Sequence, residues 1–189
     1  MRRLFAAALL AVLLAAGCGG SSPAPATPRP TPAVDDTTSG VDALFLAMMV
    51  AHTAQTLEIV DVGLDRVTDT EVRTLISAVR ATEADELATM RGWLREAGPS
   101  AAGAAARHDH TGHSDAAAGL ARLRAAPAAD ADRVLLDVLA AHQRTAAALA
   151  RAQVAAGTSA RVRDLAARID RSRTAEVALM ATLRAAPRR

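Results

Sequence analysis

Two histidines, His52 and His142, stand 90 residues apart, and each follows apolar residues at helix-face spacing: Met48 and Met49 before His52, Val138 and Leu139 before His142. An inward imidazole beside thioether sulfur is a soft donor set, suited to copper(I) and unsuited to calcium or magnesium. Carboxylates fall at matching heights. If the chain reverses near residue 68, His52 lies level with residue 84, between Glu83 and Glu86. If it reverses again near residue 158, His142 lies level with residue 174, next to Glu176. Two readings follow. In one, His52, His142, Met48, Met49, Met90 and Met180 converge on a metal at the centre of a bundle, while Glu86 and Glu176 orient the imidazole rings from behind. In the other, each half buries a hydrogen-bonded His and Glu pair, because a buried carboxylate is costly without a partner.

A second group of imidazoles, His108, His110 and His113 with Asp109, lies in a stretch of Ala, Gly and Ser. It could hold copper or zinc weakly, at the entropic cost of ordering the stretch; the alternative is a solvated spacer. The single cysteine, Cys18, has a different chemistry. It follows Arg2 and Arg3, an apolar run from Leu4 to Ala16, and Ala15-Ala16-Gly17. That is the layout of a secretory signal whose cleavage leaves an N-terminal cysteine for acylation, and the run is too short to span a bilayer comfortably. Residues 1–17 therefore read as a lipoprotein signal peptide and residues 18–40 as a lipidated cysteine with a Pro-, Ser- and Thr-rich tether. The domain after it is expected outside the cytoplasm, anchored to the cell membrane and stabilised by packing alone, since no second cysteine exists.

The elements that would position these groups come from an internal repeat. At an offset of 90, Asp42, Leu46, His52, Val72, Leu75, Glu86 and Met90 recur without a gap as Asp132, Leu136, His142, Val162, Leu165, Glu176 and Met180. Each unit carries two apolar stripes of helical period around a turn, at Thr68-Asp69-Thr70 and at Gly157-Thr158-Ser159. Two such hairpins, 41–98 and 130–186, predict an all-α four-helix bundle over residues 41–186, with a His-containing loop at 99–119.

Composition excludes several classes. Without Arg2 and Arg3 the 22 basic residues fall to 20, level with the 20 acidic ones, so no basic surface for nucleic acid is expected. No Glu-x-x-His motif of the ferritin di-iron type occurs, and no nucleophile with a base is recognisable, so an enzyme is not expected. A histidine phosphotransfer bundle would need an exposed histidine in the cytoplasm.

The segments Phe45-Leu46-Ala47-Met48-Met49-Val50-Ala51-His52, Glu71-Val72-Arg73-Thr74-Leu75 and Ala84 to Leu94, repeated more weakly from Ala141 to Met180, resemble the domain-of-unknown-function 305 family, the CopM-like exported proteins. The resemblance covers residues 41–184 and implies a ferritin-like four-helix bundle, with copper binding in some members. Members usually pair the histidine with a second one and add a later methionine. Here those places hold Thr53 and Gln143, and Ile59 and Leu149. Two functions are therefore expected: a membrane-anchored lipoprotein that binds or buffers a transition metal, copper above all, or a degenerate non-metal-binding member kept as a helical interaction or structural module at the cell surface, with no particular protein partner indicated.

Overall fold

The chain from Gly40 is Leu, Met, Ala and Val with no proline, and it forms one unbroken helix, α1, over Gly40–Leu64. The computed structural model describes residues 38, 40–99 and 116–186. α2 runs over Thr70–Glu96; its N-terminus is capped by the Asp69 carboxylate, which accepts from the amides of Glu71 and Val72 at 2.8 and 3.1 Å. It stops at Gly98, whose φ of 83° is the left-handed conformation that ends helices. α3 covers Ala116–Ala125, a 3-10 turn covers Ala128–Asp130, α4 covers Ala131–Ala156 and α5 covers Ala160–Ala185. No strand occurs among the described residues.

α1 and α2 form one antiparallel hairpin, α4 and α5 the other, and the hairpins join along α1 and α4 to make a four-helix bundle. α1 is mostly apolar, its charged Glu58 and Asp61 lying exposed; with a mean hydropathy of 1.5 over its most apolar 18 residues, it is long and apolar enough by composition to cross a membrane. Its place inside the bundle explains that composition, since it touches α2, α3 and α4. Two apolar clusters lie at opposite ends. One joins Ile59, Val60 and Ile76 to Leu135, Leu139 and Met180; the other joins Phe45, Leu46, Met49 and Met90 to Ala150, Leu165 and Ile169.

The loop expected over 99–119 does not extend to Gly119, because Ala116 to Gly119 are the first turn of α3; residues 100–115 lie outside the described residues. Alanine is the best helix former, and Ala116, Leu120 and Leu123 share one face that is buried to 3%, 4% and 0% exposure. The period of three or four was present but carried by too few large residues to stand out.

Each hairpin also holds the other by its turn. Asp42, at the start of α1, accepts from the Thr158 and Ser159 amides at 3.1 and 3.0 Å, from the Thr158 hydroxyl and from Gln153 Nε2. Asp132, at the start of α4, accepts from the Thr68 amide and hydroxyl at 3.0 and 2.9 Å. Ser159, the N-cap of α5, makes no capping bond of its own, so Asp42 supplies the anionic cap across the bundle. Burial raises the Asp42 carboxyl, but the bonds from Thr158, Ser159 and Gln153 outweigh it and hold the group below the usual carboxylate range. Asp42→Ala is expected to cost about 2–4 kcal/mol and Asp132→Ala, which is half-exposed, about 1 kcal/mol, because bonds to a buried charged group are worth more. Urea titration of the two variants measures this; equal losses would remove Asp42 as the stronger cross-brace.

Candidate functional site

α1 and α4 pass each other antiparallel at the middle of the bundle, where the rings of His52 and His142 stack with centroids 3.7 Å apart and planes 4° from parallel. Each Nε2 lies 3.2 Å from the other residue's main-chain carbonyl oxygen. A carbonyl only accepts, so both rings carry their proton on Nε2 and present the Nδ1 lone pair. The Thr56 hydroxyl donates to the same His52 carbonyl at 3.3 Å. Burial, the neighbouring His142 and the charge of Arg173 push His52 down to about 3, so it is neutral across the physiological range.

This arrangement does not fit the central metal set expected from the sequence. An imidazole nitrogen binds a metal in its ring plane at about 2.0–2.1 Å. Two near-parallel rings stacked 3.7 Å apart have no common in-plane point at that distance, so one ion cannot take a lone pair from both. The sulfurs are not gathered either. Met49 and Met90 belong to one apolar cluster, Met180 to the other, and Met48 is half-exposed on the outer face of α1. Among the described residues no group of three or more His, Cys, Asp and Glu side chains is placed to hold a metal. Cys18, His108, His110 and His113 lie outside the described residues.

The centre is instead occupied by a cation that belongs to the chain. Arg173, on α5, is 0% exposed, and its guanidinium faces three carboxylates: Glu83 at 3.4 Å, Glu176 at 3.3 Å and Glu86 in direct contact. Gln143, on α4, donates from Nε2 to Glu83 at 2.6 Å and to Glu176 at 2.7 Å. Ser172 donates to Glu176 at 2.8 Å. Glu86 and Glu176 were expected to orient histidine rings; their oxygens are taken by Arg173, Gln143 and Ser172.

Three acids around one guanidinium leave excess negative charge in a dry place. Burial pushes Glu83 up to about 7, against the pull of Arg173 and Gln143 and with the repulsion of Glu176. Burial raises Glu86 as well, again against Arg173. Burial opposes the charge on Arg173, but Glu83, Glu86 and Glu176 more than offset it and hold its proton more tightly than usual. Chemically the cluster is a buried proton acceptor without open access: the Glu86 and Glu176 side chains are each 13% exposed.

Arg173 and Gln143 were not among the residues singled out from the sequence. The repeat register held the signal in its mismatches. At an offset of 90, Arg173 takes the place of Glu83 and Gln143 that of Thr53, so the twofold-related central pair carries opposite charges.

The sequence model described as "Domain of unknown function (DUF305)" matches residues 42–184. Among curated proteins none matches this chain. Two solved structures are similar. A DUF305 protein of Streptomyces coelicolor, assigned by its name to the secreted proteins, is 27% identical, with a TM-score of 0.67 over 76% of this chain and 89% of its own. A DUF305 fragment from Deinococcus radiodurans is 20% identical, with a TM-score of 0.67 over 77% of this chain and 96% of its own, a likeness of fold.

Proposed function

The chain belongs to the DUF305 family, and on that premise we propose that it is a non-enzymatic helical module, tethered outside the cytoplasm by a lipid on Cys18, which acts through its surface and holds no metal at its centre. The observation that carries this reading is the Arg173 guanidinium among Glu83, Glu86 and Glu176, a fixed positive charge where a metal-binding bundle would keep a vacant set of donors. The stacked imidazoles support it, because each Nε2 is bonded to the other residue's carbonyl and two parallel rings offer a single ion no common in-plane point. The name of the Streptomyces relative supports the extracytoplasmic part.

Copper handling, the other expectation, is favoured by the family resemblance and by the His108, His110 and His113 cluster. The purified chain, exposed to copper and then to zinc and freed of excess ion, tests both. Wild type and the His52→Ala, His142→Ala double variant should retain the same metal content. Loss of tight copper binding in that variant would restore the central site. Weak binding lost only when His108, His110 and His113 are replaced together would place copper on that segment. Fatty-acid labelling tests the tether: wild type should be marked and Cys18→Ala should not, and equal marking would remove the lipid anchor.

A further inference from the structure

α3 breaks the twofold relation between the halves. It lies between the C-terminal half of α1 and the N-terminal half of α4, over Val134 and Val138, which are 7% and 6% exposed. A Cβ on Gly119 would meet Val138 Cγ1 at 2.7 Å, so glycine there lets the helices approach. Arg124 of α3 pairs with Glu58 at 2.9 Å, and Arg66 donates to the Ala126 carbonyl. The repeat maps this groove onto the other end of the same face. There Leu44 and Met48 stand for Val134 and Val138, and Val41 for Ala131. No described helix lies over them: Val41 is 39% exposed where Ala131 is 1%, and Leu44 and Met48 are half-buried. On the α4 edge, Ala148 and Ala152 replace Glu58 and Val62, with Thr145 one turn before, and all three are exposed.

We propose that this face, uncovered among the described residues, is where a second copy of the chain docks. Its two edges differ in a way that fits itself. The α1 edge projects Val41, Leu44 and Met48, while the α4 edge offers methyl-sized side chains and one hydroxyl. A twofold axis along the groove lays the bulky edge of each copy on the small edge of the other, the isologous contact of a cyclic dimer. The charged groups that anchor α3, Glu58 and Arg66, have alanine at the matching positions 148 and 156, so the contact is apolar. The same axis runs parallel to the helices and leaves both Gly40 ends at one end of the pair. Two chains held on one surface by the segments before Gly40 can therefore meet in this way. Tethering raises their effective concentration, which lets a face smaller than the roughly 1,000 Å² of a stable soluble interface suffice. That last step rests on the lipid tether proposed above; the shape of the face does not.

The antiparallel register that sets His52 beside His142 places Met48 level with the buried Ala146, one residue from the exposed Thr145. In the proposed dimer, position 48 of one copy therefore lies near position 145 of the other. Two differently tagged full-length chains, one carrying Met48→Cys and the other Thr145→Cys, should give a reducible heterodimer when expressed together in the membrane and mildly oxidised. Neither chain alone should give it, nor should Thr145→Cys beside Ser77→Cys, an exposed position on α2. No heterodimer from chains of unchanged helicity, or an equal yield from the Ser77 pair, overturns the proposal; a bilayer or an unrelated protein on this face gives that result. Disulfide formation by wild type itself would report a free Cys18 thiol, which counts against the lipid tether and is read separately from the Met48 and Thr145 comparison.

Discussion

Arg173→Met is expected to lower folding stability by about 3–5 kcal/mol near pH 8, because removing one partner of a buried ion cluster strands the others without compensation. Here the stranded groups would be Glu83, Glu86 and Glu176, and Gln143 alone would still donate to two of them. The loss should shrink on acidification, since protonated carboxyls no longer need the guanidinium, and Glu83→Gln added to Arg173→Met should recover part of it. Guanidinium chloride titrations of the single and double variants at pH 5 and pH 8 read all three effects. A loss below about 1 kcal/mol at pH 8 would mean that the carboxylates do not depend on the guanidinium there. It would also remove the argument that Arg173 serves as the central cation.

The second large effect is a pH dependence that two buried groups conceal from each other. Burial pushes Glu83 up to about 7 from an ordinary value of 4.5, so the folded chain binds the extra proton between those limits and stability rises as pH falls through them. His52 titrates at about 3 against 6.5, so the unfolded chain binds the extra proton and stability falls as pH drops from 6.5 toward 3. At 1.36 kcal/mol per unit, Glu83 contributes about 3 kcal/mol of gain on acidification and His52 about 4–5 kcal/mol of loss. The two slopes oppose each other between pH 4.5 and 6.5, and wild type should be nearly flat there. Glu83 faces Arg173 and Glu176 on α5, Gln143 on α4 and Thr56 on α1, with Glu86 on its own helix raised in the same sense. Glu83→Gln removes the gain: it should be more stable than wild type at pH 8 and lose stability steadily below pH 6.5. His52→Gln should do the reverse and gain stability on acidification. Parallel curves for both variants and wild type would show that neither group titrates as the burial argument requires.

How much of this was readable beforehand differs between fold and site. The two hairpins, the turns before Thr70 and Ala160 and the inward histidines follow from the 90-residue repeat and its helical period, because both signals are carried by many apolar residues at once. α3 rests on Ala116, Leu120 and Leu123 in an alanine-rich stretch and was hidden by its small side chains. The site was harder. Level arithmetic brought Glu83 and Glu86 to the height of His52, but it could not say that the rings would stack and bond to each other's backbone. Identity between repeat positions marks the shared residues, whereas the central pair is defined by the difference between Glu83 and Arg173. Family likeness pulled the same way, toward a ligand set whose second members are Thr53 and Gln143 here. Gln143 turned out to be a donor to two of the acids, a role that becomes visible once Arg173 is known to lie opposite.

Asp42 bonds to Thr158, 116 residues later, and Asp132 to Thr68, 64 residues earlier. A chain delivered N-terminus first therefore presents α1 long before the turn that α1 caps exists. The hairpin of α1 and α2 can close locally, but its Asp42 stays unsatisfied and its apolar α1 stays half bare until α4 and the turn after it arrive. Such long loop closures slow the search for the native state relative to a bundle of purely local contacts. They also tie completion of the first hairpin to completion of the second, so a chain interrupted before residue 158 should remain pliable and open to proteolysis rather than settle into half a bundle.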